Sequence, residues 1–171
     1  MILRNWANWA SLRETAYHRY KTTSGRIVIV NSSSRAFESV AKCNDYNSGG
    51  NGSVSFNYIG IAFGSGTTAP TVNDYKLETP IKKLTSLSAT NNIRQSGVYA
   101  NDYQIEATQS VKNGTESNIT ISEIVLFAGN ASGTVIFARN VITPVTLAPN
   151  ESKTFVVSVN FEELSTQVQS T

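Results

Sequence analysis

The chain has 171 residues, of which 40% are hydrophobic and 15% are charged, and its formal net charge is +2. A typical soluble domain carries about 25% charged residues. In this chain, uncharged Ser, Thr, Asn and Gly must therefore form most of the surface that contacts water. The composition excludes a disordered chain and gives no argument for direct nucleic-acid binding. One cysteine, Cys43, and one histidine, His18, exclude an internal disulfide and the common multi-ligand metal sites, so we expect no metal or other cofactor.

The first 24 residues predict an amphipathic docking helix that stops at Ser24-Gly25. One helical stripe recurs at spacings of three and four residues: Ile2, Trp6, Trp9, Arg13, Ala16 and Tyr20. Polar residues interrupt the apolar run, so we expect neither a cleaved signal nor a membrane span. The helix is interpreted as docking on a partner or packing on its own domain, and binding to a membrane surface is a weaker alternative. Buried aromatic residues dominate interface energies, which makes four residues the docking candidates: Trp6, Trp9, Tyr17 and Tyr20.

After Gly25 the hydrophobic period changes from 3.6 to 2, which predicts β-strands. The candidate strands are residues 26–30, 54–63, 81–94, 98–111, 117–127, 134–142 and 153–161, with a polar loop at 31–53. Asn113-Gly114 lies between two alternating runs and predicts a hairpin. Seven or eight strands with almost no helix between them predict a mainly β fold, an antiparallel β-sandwich or jelly roll over residues 25–161. Residues 162–171 form a polar C-terminal tail.

The usual catalytic constellations are missing from the sequence. Gly64-Ser-Gly66 follows a strand, but it lacks the Gly-Lys-Ser/Thr of a phosphate loop and the Gly-x-Ser-x-Gly of a hydrolase elbow. Glycoside hydrolysis needs only two carboxylates, and Asp102, Glu106 and Glu123 are candidates, although the sequence places no pair at a working distance. We therefore predict a protein that is not an enzyme and assign no catalytic residue.

Two charged residues interrupt apolar strands: Glu123 in residues 117–127 and Arg139 in residues 134–142. If these strands pair, the two side chains become cross-strand neighbours. We predict that Glu123 and Arg139 form a structural ion pair. Asp74 is predicted to hold the turn after Thr68-Ala-Pro-Thr71 through its side chain.

Three blocks of sequence between Val54 and Phe161 follow one another in a fixed order and spacing and together form a recognisable sequence pattern. The first is an apolar strand at residues 59–63 followed by Gly-Ser-Gly-Thr-Thr-Ala-Pro-Thr-Val-Asn-Asp-Tyr-Lys-Leu-Glu, which ends at Glu78. The second covers residues 119–127, and the third covers residues 135–159. In this order and spacing the blocks resemble the β-sandwich structural (virion) proteins of tailed bacteriophages. The resemblance implies a part repeated many times on a particle, and it carries no catalytic residue.

We therefore expect a non-enzymatic bacteriophage virion protein of the head, neck, tail or a fibre. It would be made in the host bacterial cytoplasm and would assemble, as a homo-oligomer and with other virion proteins, through the N-terminal helix and β-sandwich contacts. The first alternative is a carbohydrate- or receptor-binding module of a phage fibre that binds host-surface glycans. Its candidate stacking residues are Tyr46, Tyr58, Tyr99 and Tyr103. The second alternative is a glycan-cleaving enzyme.

Overall fold

The computed structural model describes residues 18–30, 39, 40, 46, 58–95, 103–130 and 133–161, and within these ranges the chain forms β-strands. In chain order the strands are β1 His18–Lys21, β2 Ile27–Val30, β3 Ser39–Val40, β4 Tyr58–Gly64, β5 Leu84–Gln95, β6 Tyr103–Asn113, β7 Ile119–Asn130, β8 Gly133–Leu147 and β9 Ser152–Phe161. Each strand predicted from period-2 alternation overlaps an observed one. The predicted mainly β class is therefore confirmed for the described part of the chain, where no helix is long and apolar enough to cross a membrane.

The strands pair into three groups. β1 and β2 form a hairpin, β3-β4-β7-β8 form a four-stranded sheet, and β5-β6-β9 form a three-stranded sheet. We call the second group the large sheet and the third group the small sheet. Every pairing is antiparallel except that of β3 with β4.

The two sheets share one hydrophobic core. Ile61 and Phe63 of β4 enter this core together with Val111 of β6 and Phe155 of β9. The rings of Phe63 and Phe155, one from each sheet, lie with their centroids 4.9 Å apart. Alternation along β4 sends every second side chain into this core, as the period of 2 predicts.

The middle of the large sheet, residues 59–64, 121–129 and 134–139, is buried on both faces. Its second face packs into a separate cluster with the loop that follows β4, made of Tyr46, Ala62, Leu77, Val125, Phe127 and Ile136. As a result, residues 121–129 of β7 are all buried. A strand covered on both faces reads as a continuous apolar run, which explains why the sequence of β7 shows little alternation.

The three connections between the large and small sheets lie at one end of the molecule. In the large sheet Gly64, the last residue of β4, is opposite Glu123 near the start of β7. In the small sheet Leu84, the first residue of β5, is opposite Asn113, the last residue of β6. We call this end the crossover end; its connections are residues 65–83, 114–118 and 148–151.

The predicted hairpin at Asn113-Gly114 is wrong. β6 pairs with β5 and β9, whereas β7 belongs to the other sheet, so this segment is a corner between sheets. A two-residue hairpin of this sequence needs a positive φ at its turn residues. Within the described ranges, positive φ occurs at Gly25, Gly129 and Asn150.

The buried side chain of Asn113 holds this corner. Its amide nitrogen donates to the carbonyls of Ser117 (2.8 Å) and Leu147 (2.9 Å). Its Oδ1 accepts from the backbone N–H (2.9 Å) and the hydroxyl (2.7 Å) of Thr115. The side chain of Asn113 therefore links the β6–β7 connection to the end of β8. A residue type that predicts a hairpin turn here forms a hydrogen bond with a carbonyl far away in the sequence.

The predicted N-terminal helix does not extend over its last residues. His18–Lys21 form β1, which pairs antiparallel with the β-branched strand β2, His18 opposite Val30. The chain reverses between the two strands at Gly25, whose φ is 84° and whose N–H donates to the carbonyl of Thr22 at 2.8 Å. Glycine at the predicted helix stop therefore serves as the turn of a hairpin, because a left-handed residue suits both structures.

This hairpin changes the predicted N-terminal domain. The boundary at residues 24 and 25 falls inside the hairpin, and the docking candidate Tyr20 lies on β1. Trp6, Trp9 and Tyr17 lie outside the described residues, as do the rest of residues 1–17 and the tail at 162–171.

Substituting Asn113→Ala should lower the free energy of unfolding by about 2 to 4 kcal/mol, because it removes four hydrogen bonds and leaves the buried carbonyl of Leu147 without that donor. Urea unfolding checks this, and the slope with denaturant should stay unchanged. The matched control is Asn118→Ala in the exposed part of the same connection, which should change stability by less than about 0.5 kcal/mol. Equal midpoints for the two variants would contradict the assignment.

Candidate functional site: an arginine shared by three carboxylates

The structure brings Glu123 and Arg139 together on neighbouring strands of the large sheet. Arg139 Nε donates to Glu123 Oε1 at 2.6 Å, and the two side chains are 4% and 0% exposed respectively. The two residues are diagonal rather than directly opposite, since Glu123 pairs with Val141 and Arg139 pairs with Val125. The ion pair is therefore buried and joins β7 to β8.

A bulge in β8 places Arg139 on the same face as Glu123. Leu126 is opposite Ala138, but the next residue of β7 is opposite Ile136, so β8 carries Phe137 as an extra residue. With regular alternation Arg139 would share the face of Phe137 and point into the shared core. The bulge reverses the face of the residues that follow it and turns Arg139 to the face of the second cluster.

Glu123 also binds three backbone N–H groups of the connection between β4 and β5. Its Oε1 accepts from the N–H of Glu78 at 2.8 Å, and its Oε2 accepts from those of Gly66 (3.3 Å) and Thr79 (3.4 Å). Together with Arg139, each carboxylate oxygen therefore has two donors. This arrangement satisfies the lone pairs of a carboxylate and offsets the cost of burying its charge.

Arg139 extends the site toward the surface. Its Nη1 lies 2.8 Å from Asp74 Oδ2, and its Nη2 lies 3.5 Å from Glu78 Oε2. These two carboxylates are 23% and 40% exposed, whereas that of Glu123 is fully buried. One guanidinium thus links three carboxylates that run from the interior to the solvent. We call Asp74, Glu78, Glu123 and Arg139 the arginine cluster.

The outer carboxylates of the cluster shape the connection that carries them. Asp74 accepts from the N–H (2.9 Å) and hydroxyl (2.8 Å) of Thr71, which confirms the predicted turn role of Asp74. Glu78 accepts from the N–H (3.0 Å) and hydroxyl (2.9 Å) of Thr68 in the same way. Residues 68–78 are therefore held by side-chain bonds to their own backbone as well as by Arg139.

Gly64 and Gly66 allow the backbone to approach the buried carboxylate. A Cβ on Gly66 would lie 2.6 Å from Glu123 Oε2 and 2.6 Å from the Cβ of Glu78. A Cβ on Gly64 would meet Glu123 Oε2 even more closely and would lie 2.9 Å from the carbonyl oxygen of Thr79. The Gly-x-Gly of this chain thus serves close packing around a carboxylate, in agreement with the absence of a phosphate-loop motif.

The electrostatics keep the outer carboxylates ionised. Burial raises the pKa of Asp74, but hydrogen bonds from Thr71 and Arg139 outweigh it and hold that pKa below its ordinary value of 3.8. Hydrogen bonds from the backbone and hydroxyl of Thr68 lower the pKa of Glu78 below its ordinary value. A general acid needs a carboxyl group that keeps its proton near neutral pH, so neither of these two groups is suited to that role.

Tyr46 lies beneath the same connection. Its hydroxyl accepts from the N–H of Leu77 at 2.6 Å, and its ring meets that of Phe127 edge-on at 5.7 Å. The residue is 3% exposed, and burial raises the pKa of its phenol. The prediction that Tyr46 offers a stacking face to a glycan is therefore wrong, because its ring is already packed in the second cluster.

The other candidates for glycan chemistry are not gathered at this site. Glu106 lies on β6 in the small sheet, whereas Glu123 lies on β7 in the large sheet. Tyr58 and Tyr103 begin β4 and β6, at the end of the sheets opposite the crossover end. Two of the candidates, Tyr99 and Asp102, lie outside the described residues.

A cleft of about 260 Å³ opens beside the arginine cluster. Thr68, Asn73 and Lys76 line it together with Tyr75. Lys21 of β1 places its Nζ 3.7 Å from the centroid of the Tyr75 ring, a cation–π contact that joins the hairpin to the connection. The described residues contain no cluster of three His, Cys, Asp or Glu side chains that could hold a metal ion.

Sequence reasoning missed the part that Glu78 and Gly66 play in the site. Both residues belong to the first block of the bacteriophage pattern, but the pattern says nothing about contacts. A local signal exists only for the turn, where Thr71 and Asp74 are three residues apart. The contact between Glu78 and Arg139 spans 61 residues of sequence, so only the folded chain brings them together.

Protein-family models, curated proteins and solved structures were each compared with this chain, and none of them matches it. The relation to bacteriophage structural proteins therefore stays a prediction based on the three sequence blocks.

Substituting Glu123→Gln should lower the free energy of unfolding by about 3 to 5 kcal/mol, because the variant leaves Arg139 buried without this carboxylate. Each oxygen of Glu123 accepts from two donors, so the new amide nitrogen faces two donors in either orientation. Thermal and urea unfolding measure the loss. Glu116→Gln on the exposed connection at the crossover end is the control, and equal melting of the two variants would refute the structural role of Glu123.

The stability of the protein should decrease in acid partly through Asp74. Its folded-state pKa lies below the ordinary value of 3.8, so its contribution is complete above that value and is lost as pH falls through the folded-state pKa. Asp74→Asn should therefore cost about 1 to 2 kcal/mol at pH 7 and progressively less below pH 3.8. Unfolding curves at pH 7 and in acid test this, and a constant difference between variant and wild type would contradict it.

Proposed function

We propose that this chain is a non-enzymatic structural component of a tailed-bacteriophage virion. In this proposal the large and small sheets form a β-sandwich that is repeated on the particle and contacts other virion proteins. The chain is made in the host cytoplasm and is localised to the virion, in the head, neck, tail or a fibre. The three sequence blocks that resemble such proteins are the origin of the proposal.

The arginine cluster is the observation that carries the proposal. It draws one residue or more from every block: Asp74 and Glu78 from the first, Glu123 from the second and Arg139 from the third. The three blocks therefore meet at a single set of ion pairs, whose effect is to fix a connection between two sheets. A sequence pattern that fixes the path of a surface connection supports a structural role. In a particle with many copies of one protein, each copy must present the same surface.

The chemistry of the cluster supports the non-enzymatic part of the proposal. Glu123 is fully buried and its oxygens already have two donors each, so it offers no lone pair to a substrate. Lowered pKa values keep Asp74 and Glu78 from acting as proton donors near neutral pH. A glycan-cleaving enzyme that used these carboxylates would lack the general acid that glycoside hydrolysis requires.

A carbohydrate- or receptor-binding module remains the second candidate, and the cleft beside the arginine cluster favours it. The cleft combines the ring of Tyr75 with hydroxyl, amide and ammonium groups, which is the mixture that binds sugars. Lys21 already lies close to the ring, so a stacked sugar would have to use the other face or displace this lysine. Binding on a glycan array that Tyr75→Ala abolishes would favour this candidate.

The proposal predicts that the chain is present in purified particles of the phage that encodes it. Quantitative mass spectrometry should find it at a fixed ratio to the major particle proteins, in several copies per particle. Removing residues 1–17 should keep the protein folded, because the cut precedes β1, but should exclude it from particles. Trp6 and Trp9 lie in the removed segment, and Tyr20 stays in place.

Removing the polar tail at residues 162–171 is the matched control, since it follows the last residue of β9 and should leave incorporation unchanged. Circular dichroism and melting establish that both truncated proteins fold. Particles that lack the full-length chain would refute the virion role, and incorporation of the chain without residues 1–17 would refute docking through its N-terminal residues.

A further inference from the structure

Asn113 and Gly114 form a dipeptide whose two residues can react with each other. When glycine follows asparagine, its backbone nitrogen can attack the side-chain amide, because glycine has no Cβ to hinder the approach. The chain contains two such dipeptides, Asn51-Gly52 and Asn113-Gly114. The first lies outside the described residues, and the second lies at the corner between β6 and β7. The geometry of this corner therefore decides whether the second dipeptide reacts.

The reaction replaces one bond at the side-chain carbonyl carbon, Cγ, with another. The Gly114 nitrogen gives its proton to solvent and bonds to Asn113 Cγ, while the bond from Cγ to Nδ2 breaks and Nδ2 leaves, with a proton from water, as ammonia. Water then opens the five-membered imide at one of its two carbonyl groups. The product is aspartate, or isoaspartate in which the main chain runs through the side-chain carbon. Water is the only co-reactant, and nothing is oxidised or reduced.

The backbone of Asn113 is held in a conformation that prevents this attack. Asn113 is the last residue of β6, its N–H donates to the carbonyl of Glu151, and its carbonyl accepts from the N–H of Asn150, both at 2.9 Å. To close the imide ring, the bond from Cα to the carbonyl carbon of Asn113 must rotate away from the extended value of a strand. Because this rotation moves the carbonyl oxygen, the hydrogen bond from Asn150 must break first.

The side chain of Asn113 is held in the same way. It is fully buried, its Nδ2 donates two hydrogen bonds, and its Oδ1 accepts two. Cγ carries both of these atoms, so it cannot move onto the Gly114 nitrogen until the four bonds are released. Gly114 itself is exposed. The hydrogen bonds of Asn113, rather than burial of the glycine, therefore protect the dipeptide.

The product does not fit the place that Asn113 occupies. Nδ2 donates to the carbonyls of Ser117 and Leu147, whereas a carboxylate has no hydrogen to donate. A carboxylate oxygen in the position of Nδ2 would face two carbonyl oxygens where no solvent reaches it, which is costly for a charged group. Isoaspartate would also lengthen the main chain at the end of β6, where the bonds to Asn150 and Glu151 fix the backbone.

We propose that Asn113 is a modification site that the native corner keeps closed and that loses ammonia only when the corner opens. The loss is irreversible, because the ammonia escapes into the solvent, and the modified chain cannot rebuild the corner. Copies that stay folded keep asparagine, and copies that have opened are marked by an acidic residue at position 113. The reaction depends on the corner alone, and not on whether the chain is part of a particle.

Incubation of the full-length chain in native buffer and in unfolding urea tests the protection. Both samples are kept at the same mildly alkaline pH, and peptide mapping by mass spectrometry follows Asn113 separately from Asn51. We expect Asn113 to convert about a hundredfold or more slowly in the native sample, because the reaction must wait for the corner to open. Equal rates in the two samples would overturn the proposal.

A variant that loosens the corner tests whether its hydrogen bonds provide the protection. Thr115→Val removes the hydroxyl that donates to Asn113 Oδ1 and should accelerate native conversion about fivefold, with the rate in urea unchanged. Thr120→Val is the matched control, since it removes a hydroxyl from an exposed pair on β7 and should change the native rate by less than about twofold. Native rates that are equal in the two variants would show that the corner does not protect Asn113.

The fate of the modified chain is tested in an Asn51→Gln background, which leaves a single Asn-Gly dipeptide. Chains converted in urea gain one negative charge, so ion exchange separates them from unconverted chains of the same sample. After dilution from urea, the converted chains should stay unfolded or melt at a lower temperature than the unconverted ones. Equal melting temperatures would contradict the loss of the corner.

Asn113→Asp gives the same charge without incubation. It should be less stable to urea than Asn118→Asp, which places the charge on an exposed residue of the connection after β6. Equal unfolding midpoints for these two variants would overturn the claim that an acidic residue cannot replace Asn113.

Discussion

The path of the chain depends on the hydrogen bonds and the ion pair of the buried Glu123 carboxylate. This carboxylate has no exposure to solvent, and an unpaired charge in that position would cost several kcal/mol. Four donors must therefore converge on it, and three of them are backbone N–H groups of the connection between β4 and β5. The buried charge thus dictates where this long connection runs, and the glycines of Gly64-Ser-Gly66 let it come close enough.

This constraint gives the two sheets different surroundings. The connection between β4 and β5 packs through Leu77 against the outer face of the large sheet, and the cation–π contact of Lys21 with Tyr75 links the hairpin of β1 and β2 to this connection. The small sheet has only its inner face in the shared core. Its outer face carries paired hydroxyl residues, such as Ser110 and Thr154 with their oxygens 2.6 Å apart. Hydroxyl pairs of this kind let an exposed sheet face meet water without charged residues.

The crossover end and the edge strand β9 differ in how fully their polar groups are paired within the described chain. At the crossover end, the side chains of Asn113 and the arginine cluster bond polar groups of two of the three connections. The outer edge of β9, in contrast, has no partner among the described strands.

The residue pattern predicted seven of the nine described strands, because alternation with period 2 depends only on which side chains avoid water. It missed β1, which lies in the predicted helix, and β3, which lies in the predicted polar loop at 31–53. It also determined that Glu123 and Arg139 need partners, since charged residues in apolar strands are costly when unpaired. The structure extended β8 past Pro144, which an edge strand tolerates, and replaced the end of the predicted helix with β1. Glycine at residue 25 could not distinguish the two outcomes, because it suits a helix end and a hairpin turn equally.

Only the tertiary structure decided which strands are neighbours. Asn113-Gly114 has the local chemistry of a hairpin, but the carboxamide of Asn113 donates to the nearby carbonyl of Ser117 and to the distant carbonyl of Leu147, and the chain crosses between sheets instead. The bulge at Phe137, which turns Arg139 to the face of Glu123, likewise leaves no local signal. Sequence by itself determined most of the strands, the charged pair and the small number of residues suited to catalysis. The sheet order and the three-carboxylate site depend on contacts between residues far apart in the chain, which no local pattern encodes.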